Sequence, residues 1–230
     1  MTDRLRVVWP DPKPFAARDG EPIRILAISD EPDPSLDSEA TREGLGRVDL
    51  IVGAGDLQPD YLSFVSDAFH APLRYVRGNH DVGLAWSHTR RKLLPDPMPD
   101  GELIHELGIR ILGFSGSPRY NQRGMQVSSL GMWWQVLTAW FRARSARPLL
   151  MVTHAPPRGL NDDRDLAHRG FKAFRWLIDR LAPPLWLHGH TALVRRGLDD
   201  RCEQHGPTLL YNCTGATLVE LLPPDADARG

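Results

Sequence analysis

The chain has 230 residues, of which 28 are Lys or Arg and 29 are Asp or Glu, so its formal net charge is −1. Without a basic excess, we do not expect a protein that binds nucleic-acid polymers or membrane surfaces mainly by charge. The hydrophobic share of 41% and the charged share of 25% exclude global disorder, and two cysteines cannot form a disulfide framework. No stretch resembles a signal peptide or a membrane span, so we expect a cytoplasmic globular protein.

Short apolar runs between turn-forming residues predict a series of strands along the chain. In chain order they cover residues 23–29, 49–55, 72–77, 109–113, 149–153, 185–187, 208–213 and 217–222. Their near-continuous apolar character is typical of strands that are covered on both faces. Hydrophobic spacing predicts two helices between them, at residues 128–143 and 171–181. Alternating strands and helices indicate a layered α/β fold.

We find no internal repeat and no low-complexity linker, and therefore predict one domain over residues 21–222. The Pro-rich residues 1–20 are expected to form a poorly ordered extension, and residues 223–230 a disordered tail. The apolar stripe of the first helix is expected to face the core. It comprises Leu130, Trp133, Trp134, Leu137, Trp140 and Phe141.

A potential metal ligand follows each of five predicted strands, where the strand becomes a loop. The five residues are Asp30, Asp56, Asn79, His154 and His190. Each alone is typical of a turn or of a structural histidine. Ligands of α/β sheets bind beyond the carboxyl ends of the strands, so neighbouring strands would bring all five side chains together. Glycines beside them, Gly55, Gly78 and Gly189, permit a close approach of the backbone. The set therefore predicts a metal site.

The motifs around these residues resemble, in order, those of the calcineurin-like metallophosphoesterase superfamily. They are Ser29-Asp30-Glu31-Pro32, Gly55-Asp56, Gly78-Asn79-His80-Asp81, Thr153-His154-Ala155-Pro156-Pro157 and His188-Gly189-His190-Thr191. Residues 116–121 and 165–171 resemble one bacterial branch of that superfamily. The resemblance implies an α/β fold with a four-layer α/β/β/α sandwich of two mixed β-sheets. It also implies hydrolysis of a phosphate ester by metal-activated water.

The resemblance implies one intact and one depleted metal position. The intact position would use Asp56, Asn79, His154 and His190. The depleted position would share the carboxylate of Asp56 and use Asp30, but Pro32 and Ala192 replace its two histidines. Glu31 and His188 adjoin the vacated positions, but neighbouring strand residues point to opposite faces, so simple substitution is not expected. Nitrogen and oxygen ligands favour Mn, Fe or Zn, with one ion held tightly and any second ion weakly.

The resemblance also suggests catalytic roles. His80 would act as a general acid or stabilise the transition state, and Asp81 would orient its ring and raise its pKa. Asp30 would fix the attacking water against the metal. Arg119, together with Asn79 and His80, is a candidate for binding the phosphate of the substrate.

These assignments predict a phosphoesterase that acts on a small phosphodiester or nucleotide-type substrate, with no nucleic-acid polymer or membrane as partner. The alternative is a catalytically weak or inactive relative that binds a nucleotide or a protein, which the losses at Pro32 and Ala192 favour. His168 and the loop of residues 162–165 are open to interpretation as a lid, a substrate contact or a helix cap. The sequence does not determine the oligomeric state.

Overall fold

The computed structural model describes residues 2–87, 94–121, 123–191 and 201–224. Ala192 and the predicted tail from residue 225 onwards lie outside the described residues. The strands are β1 (Asp3–Val8), β2 (Ile23–Ser29), β3 (Leu50–Gly53), β4 (Leu73–Tyr75), β5 (Leu103–Glu106), β6 (Ile109–Phe114), β7 (Ser117–Pro118), β8 (Gln126–Val127), β9 (Leu149–Thr153), β10 (Leu185–His188), β11 (Cys202–His205), β12 (Thr208–Asn212) and β13 (Gly215–Leu222). The helices are α1 (Lys13–Ala16), α2 (Glu39–Leu45), α3 (Pro59–Phe69), α4 (Ser129–Ala143) and α5 (Lys172–Leu181).

Two mixed sheets form the centre of the molecule. The first sheet has the order β1-β13-β2-β3-β4, and its β13–β2 pair is antiparallel while its other pairs are parallel. The second sheet has the order β11-β12-β10-β9-β6-β5, with antiparallel pairs at both edges and parallel pairs in the middle. The predicted α/β fold with two mixed sheets is confirmed.

The alternation of side chains along each strand explains the layers. In β2, Ile23, Ile25 and Ala27 belong to a core that both sheets share, whereas Leu26 and Ile28 pack in a second core with residues of α2 and α3. The side chains of β9 alternate in the same way between the shared core and a third core, which contains residues of α4 and α5. The layers therefore follow the order helix, sheet, sheet, helix.

The N-terminal residues are part of the domain, so the prediction of a poorly ordered extension over residues 1–20 is wrong. β1 pairs in parallel with β13 along its whole length. Trp9 and Phe15 are buried, with 1% and 2% of their surface exposed. The alternation of Leu5, Val7 and Trp9 was the signal for this strand, and the many prolines nearby obscured it.

The predicted orientation of α4 is also wrong. Leu130, Trp134 and Phe141 are 81%, 75% and 62% exposed, and Trp133 and Trp140 are only partly buried. Helical periodicity could not choose between two apolar faces, and the face with the smaller side chains packs on the sheet. That buried face consists of Met132, Val136, Ala139 and Ala143.

The helix predicted at residues 171–181 is present as α5, and the apolar residues whose spacing predicts it are buried, namely Phe171, Phe174, Leu177, Ile178 and Leu181. Within the part of the chain that is described, no helix is both long and apolar enough to cross a membrane.

Candidate metal centre

The structure brings the five predicted ligands together at the carboxyl ends of strands from both sheets. The first sheet supplies Asp30, Asp56 and Asn79 after β2, β3 and β4, and the second supplies His154 and His190 after β9 and β10. One oxygen each of Asp30 and Asp56 and one ring nitrogen of His154 lie within 4.8 Å of one another. Asn79 Oδ1 lies 3.0 Å from His154 Nε2. The rings of His154 and His190 have centroids 4.8 Å apart.

Tight turns aim these side chains at one point. Asp30, Asp56 and His190 have φ angles of 58°, 57° and 69°, in the left-handed region that residues with a Cβ rarely adopt. Such strain persists only where the surrounding structure maintains it, and it is common at functional sites. A Cβ on Gly78 would collide with the Asp56 carboxylate, and one on Gly189 with the Asp30 carboxylate. Both positions therefore require glycine, because the carboxylates lie too close to the backbone for a side chain.

Hydrogen bonds fix the two carboxylates. Ser29 Oγ donates to Asp30 Oδ2 at 2.5 Å, and the backbone N–H of His190 donates to both Asp30 oxygens at 3.0 Å. The backbone N–H of His80 donates to Asp56 Oδ1 at 2.7 Å. The other Asp56 oxygen, Oδ2, lies 3.3 Å from Nε2 of the buried His154. Each carboxylate is thus oriented before any cation binds.

Asp81 has a different role from the one predicted. Its Oδ2 accepts hydrogen bonds from the backbone N–H groups of Gly78, at 2.6 Å, and of Asp56, at 3.0 Å. Burial, opposed by the bond from Gly78, raises the pKa of Asp81 to about 6. These bonds tie the loop after β3 to the loop after β4. These two bonds of Asp81 thus fix the loops that carry the predicted ligands Asp56 and Asn79, and the predicted contact with the ring of His80 is not among the hydrogen bonds of the described residues.

The charges of the site are strongly coupled. Burial lowers the pKa of His154, but the carboxylates of Asp56 and Asp30 raise it to about 9. Burial and the positive charge of His154 hold the pKa of His190 well below its ordinary value. Burial raises the pKa of Asp30, whereas His154 and His80 outweigh burial and lower that of Asp56. The ring of His154 must therefore lose a proton before it can bind a cation.

The residues present fit a divalent cation. His190 Nε2 is buried and has no hydrogen-bond partner among the described residues. Leaving a buried polar atom without a hydrogen-bond partner costs about 1–3 kcal/mol of stability. An atom of this kind at a cluster of potential ligands therefore indicates a binding site. Two carboxylates, one amide oxygen and two imidazoles are a donor set that suits divalent transition metals.

A cavity of about 350 Å³ opens in front of these residues. Four of the predicted ligands line it, and His154 lies fully buried outside its lining. The other lining residues are Glu31, His80, Tyr120, Ala167, His168, Thr191 and Thr214. Thr214 Oγ1 donates to Asp30 Oδ2 at 3.3 Å and was missed, because its strand-end position carries no motif. His168 lines this cavity, with Nδ1 3.0 Å from both oxygens of Asp165. That contact places the His168 ring in the cavity wall.

Three other candidate residues are placed as follows. Arg119, predicted to bind phosphate, lines a neighbouring cavity, while Tyr120 beside it lines this one. His188 is buried in β10, and its Nδ1 contacts the carbonyl oxygen of Gly189. Glu31 lines the cavity beside Asp30, but it is not in the cluster whose ligand atoms lie within 4.8 Å.

Comparisons with known proteins agree with this fold. The family model for calcineurin-like phosphoesterases matches residues 23–193. A crystal structure that is 16% identical has a TM-score of 0.58 and covers 84% of this chain and 91% of its own. The crystal structure of TT1561 of Thermus thermophilus, 17% identical, has a TM-score of 0.54 and covers 84% of this chain and 90% of its own. At these identities the two structures show the fold alone. No curated protein sequence matches the chain significantly.

Proposed function

This chain belongs to the calcineurin-like phosphoesterase family, and on that premise we propose that it hydrolyses a small phosphate ester by metal-activated water. The observation that carries the proposal is the convergence of the ligands. Ligand atoms of Asp30, Asp56 and His154 lie within 4.8 Å of one another, and the unpartnered Nε2 of His190 is buried in the same site. The net charge of −1 favours a small phosphorylated substrate over a nucleic-acid polymer.

Four residues would hold the tightly bound ion, and they are Asp56, Asn79, His154 and His190. A divalent cation there supplies Lewis-acid activation of water at neutral pH. Asp30, held by Ser29 and by the backbone of His190, orients the attacking water. His80 is exposed in the cavity wall and can donate a proton to the leaving oxygen.

The alternative is a catalytically weak relative that binds a nucleotide or a protein partner. It is supported by the second metal position, for which the described residues offer the carboxylates of Asp30 and Asp56, while Pro32 is exposed and carries no ligand atom. Two carboxylates hold a hard ion such as Mg²⁺ only weakly, unless the phosphate of a substrate completes its shell.

Activity assays separate the two functions. We expect the purified protein to hydrolyse p-nitrophenyl phosphate or its bis ester when Mn²⁺, Mg²⁺ or Zn²⁺ is supplied. Metal analysis of protein purified without added metal should find about one transition-metal ion per chain. Restoring both histidines, with Pro32→His and Ala192→His, should raise activity if the second position limits it. Stoichiometric metal without hydrolysis of either ester, in the restored variant as well, would favour the binding protein.

A further inference from the structure

A second cavity, of about 450 Å³, adjoins the metal cavity, and it is lined by cationic side chains. Four of its lining residues are basic, and none is acidic; the basic residues are Arg119, Arg158, Arg169 and Lys172. The buried ring of Phe171 and Ser129 also line it. Ser129 is the first residue of the 15-residue helix α4, so the positive end of that helix faces the same space.

One wall separates the two cavities. Tyr120 lines the metal cavity, and the preceding residue, Arg119, lines the cationic one. Likewise, His168 lines the metal cavity, and the following residue, Arg169, lines the cationic one. Consecutive residues, with Cα atoms about 3.8 Å apart, thus line different cavities at both places, so the two cavities lie on either side of the same two backbone segments. A small molecule that extends across these segments would contact both cavities.

Two contacts hold the loop beside the cationic cavity, and several basic side chains of this cavity have no acidic partner among the described residues. Arg158 pairs with Asp162 at 3.0 Å, and the same carboxylate accepts the backbone N–H of Gly170 at 3.0 Å. These contacts hold the two ends of the loop of residues 158–170 together. Arg119, Arg169 and Lys172, in contrast, form no ion pair with any described residue, although Arg169 Nε donates to the carbonyl oxygen of Arg164 at 3.3 Å. Three positive charges without an acidic partner in the described part of the chain, whose net charge is −1 over its full length, point to an anionic ligand.

We propose that this cavity binds a second anionic group of the substrate. The substrate would then be a small molecule with two anionic groups. One is the phosphate ester at the metal ligands, and the other is a phosphate or carboxylate a few bonds away beside Arg119 and Lys172. The inference rests on the proposed function, because it defines the substrate of the same site. It also gives Arg119 a role that differs from the predicted one, since it binds the group that does not react.

Binding of non-hydrolysable compounds tests this directly. Calorimetry on the full chain with Mn²⁺ would compare propylphosphonate with bisphosphonates whose phosphonate groups are joined by three to six methylenes. At one linker length or more, the bisphosphonate should bind at least about tenfold tighter, because charge-assisted hydrogen bonds contribute about 1.5–3 kcal/mol each. A bisphosphonate has two equivalent ends, and this alone doubles its apparent affinity relative to propylphosphonate. Affinities within about threefold at every length, or no measurable binding, would overturn the proposal.

Variants locate the second group. Arg119→Gln and Lys172→Gln should each reduce the bisphosphonate preference, and the double variant should abolish it. Arg142→Gln removes the same charge from an exposed position on α4 outside both cavities and is the matched control. Equal losses in all three single variants would contradict a specific site. Hydrolysis of p-nitrophenyl phosphate reports separately on the proposed function. Tighter binding of the bisphosphonate without hydrolysis would reject that function alone. Hydrolysis without tighter binding of the bisphosphonate would reject only this inference.

Discussion

His190 is a direct test of the metal site, because its buried Nε2 has no hydrogen-bond partner among the described residues. His190→Ala should weaken metal binding by more than about tenfold. The metal-free variant should also lose about 0.5–1.5 kcal/mol of unfolding free energy, because the His190 ring forms a hydrogen bond with the backbone of Ala167. Competition with a chelator measures the affinity. His70→Ala, at an exposed position outside the cavity, is the control and should leave the affinity unchanged.

Metal binding should release protons. In the metal-free protein the pKa of His154 is raised to about 9, so this ring is protonated at neutral pH and must lose its proton to bind a cation. Below pH 8 we expect close to one proton released per ion, and an affinity that rises about tenfold per pH unit and levels off above about pH 9. Calorimetry in buffers of different ionisation enthalpy measures the release. An affinity that is independent of pH would contradict the coupling between His154 and the carboxylates.

His80 should act in turnover rather than in metal binding. It is exposed in the cavity wall, and its contact with Asp56 is made by its backbone N–H, which a substitution preserves. His80→Ala should lower kcat by about a hundredfold or more, the usual contribution of a general acid, with the metal content unchanged. Steady-state kinetics and metal analysis of the same sample test this. Parallel loss of metal and turnover would show that the ring is structural.

At the scale of elements, the exposed face of α4 and the core beneath this helix predict effects of very different size for two tryptophans. Trp134 on α4 is 75% exposed, so Trp134→Gln should change the free energy of unfolding by less than about 0.5 kcal/mol. Trp186 on β10 is fully buried, and its Nε1 donates to Thr153 Oγ1 at 2.9 Å. Trp186→Ala should cost about 3–5 kcal/mol. Urea denaturation measures both, and a large cost at Trp134 would mean that another surface covers α4.

Sequence patterns identified the buried strands well and the edge strands poorly. Each of the eight predicted strands is present, with ends within two residues of those predicted. In the two large sheets the strands β1, β5 and β11 were missed, and all three lie at sheet edges, where solvent reaches polar side chains and breaks the apolar run. Four of the five predicted ligands follow strands with a neighbour on each side, and the fifth, Asn79, follows the edge strand β4, which still buries Leu73 and Tyr75. Their apolar runs explain why the metal site was predictable although the N-terminal strand was not.

Residue contacts were less predictable than residue positions. The spacing of motifs placed Asp81 beside His80, but the backbone turn directs its carboxylate to the N–H groups of Gly78 and Asp56. Arg119 and Tyr120 are adjacent in sequence, yet they line different cavities. These assignments depend on the direction of each side chain in a loop, which local spacing does not encode.

At the scale of the molecule, the site depends on the relative position of the two sheets. One sheet supplies the carboxylates and the amide oxygen, and the other supplies the imidazoles. The backbone N–H of His190 donates to Asp30 and so connects the two sets of loops directly. The shared core beneath them, built from residues of both sheets, sets the distance between the ligands. A cation would therefore stabilise the packing of the sheets against each other.

A crystal structure of the full chain soaked with Mn²⁺, with anomalous scattering recorded, tests the central claim most directly. We predict that the strongest anomalous peak lies among Asp56, Asn79, His154 and His190, within about 2.0–2.3 Å of the ligand atoms. An ordered site with these four side chains in place and no peak among them, or a strongest peak elsewhere in the molecule, would contradict the account.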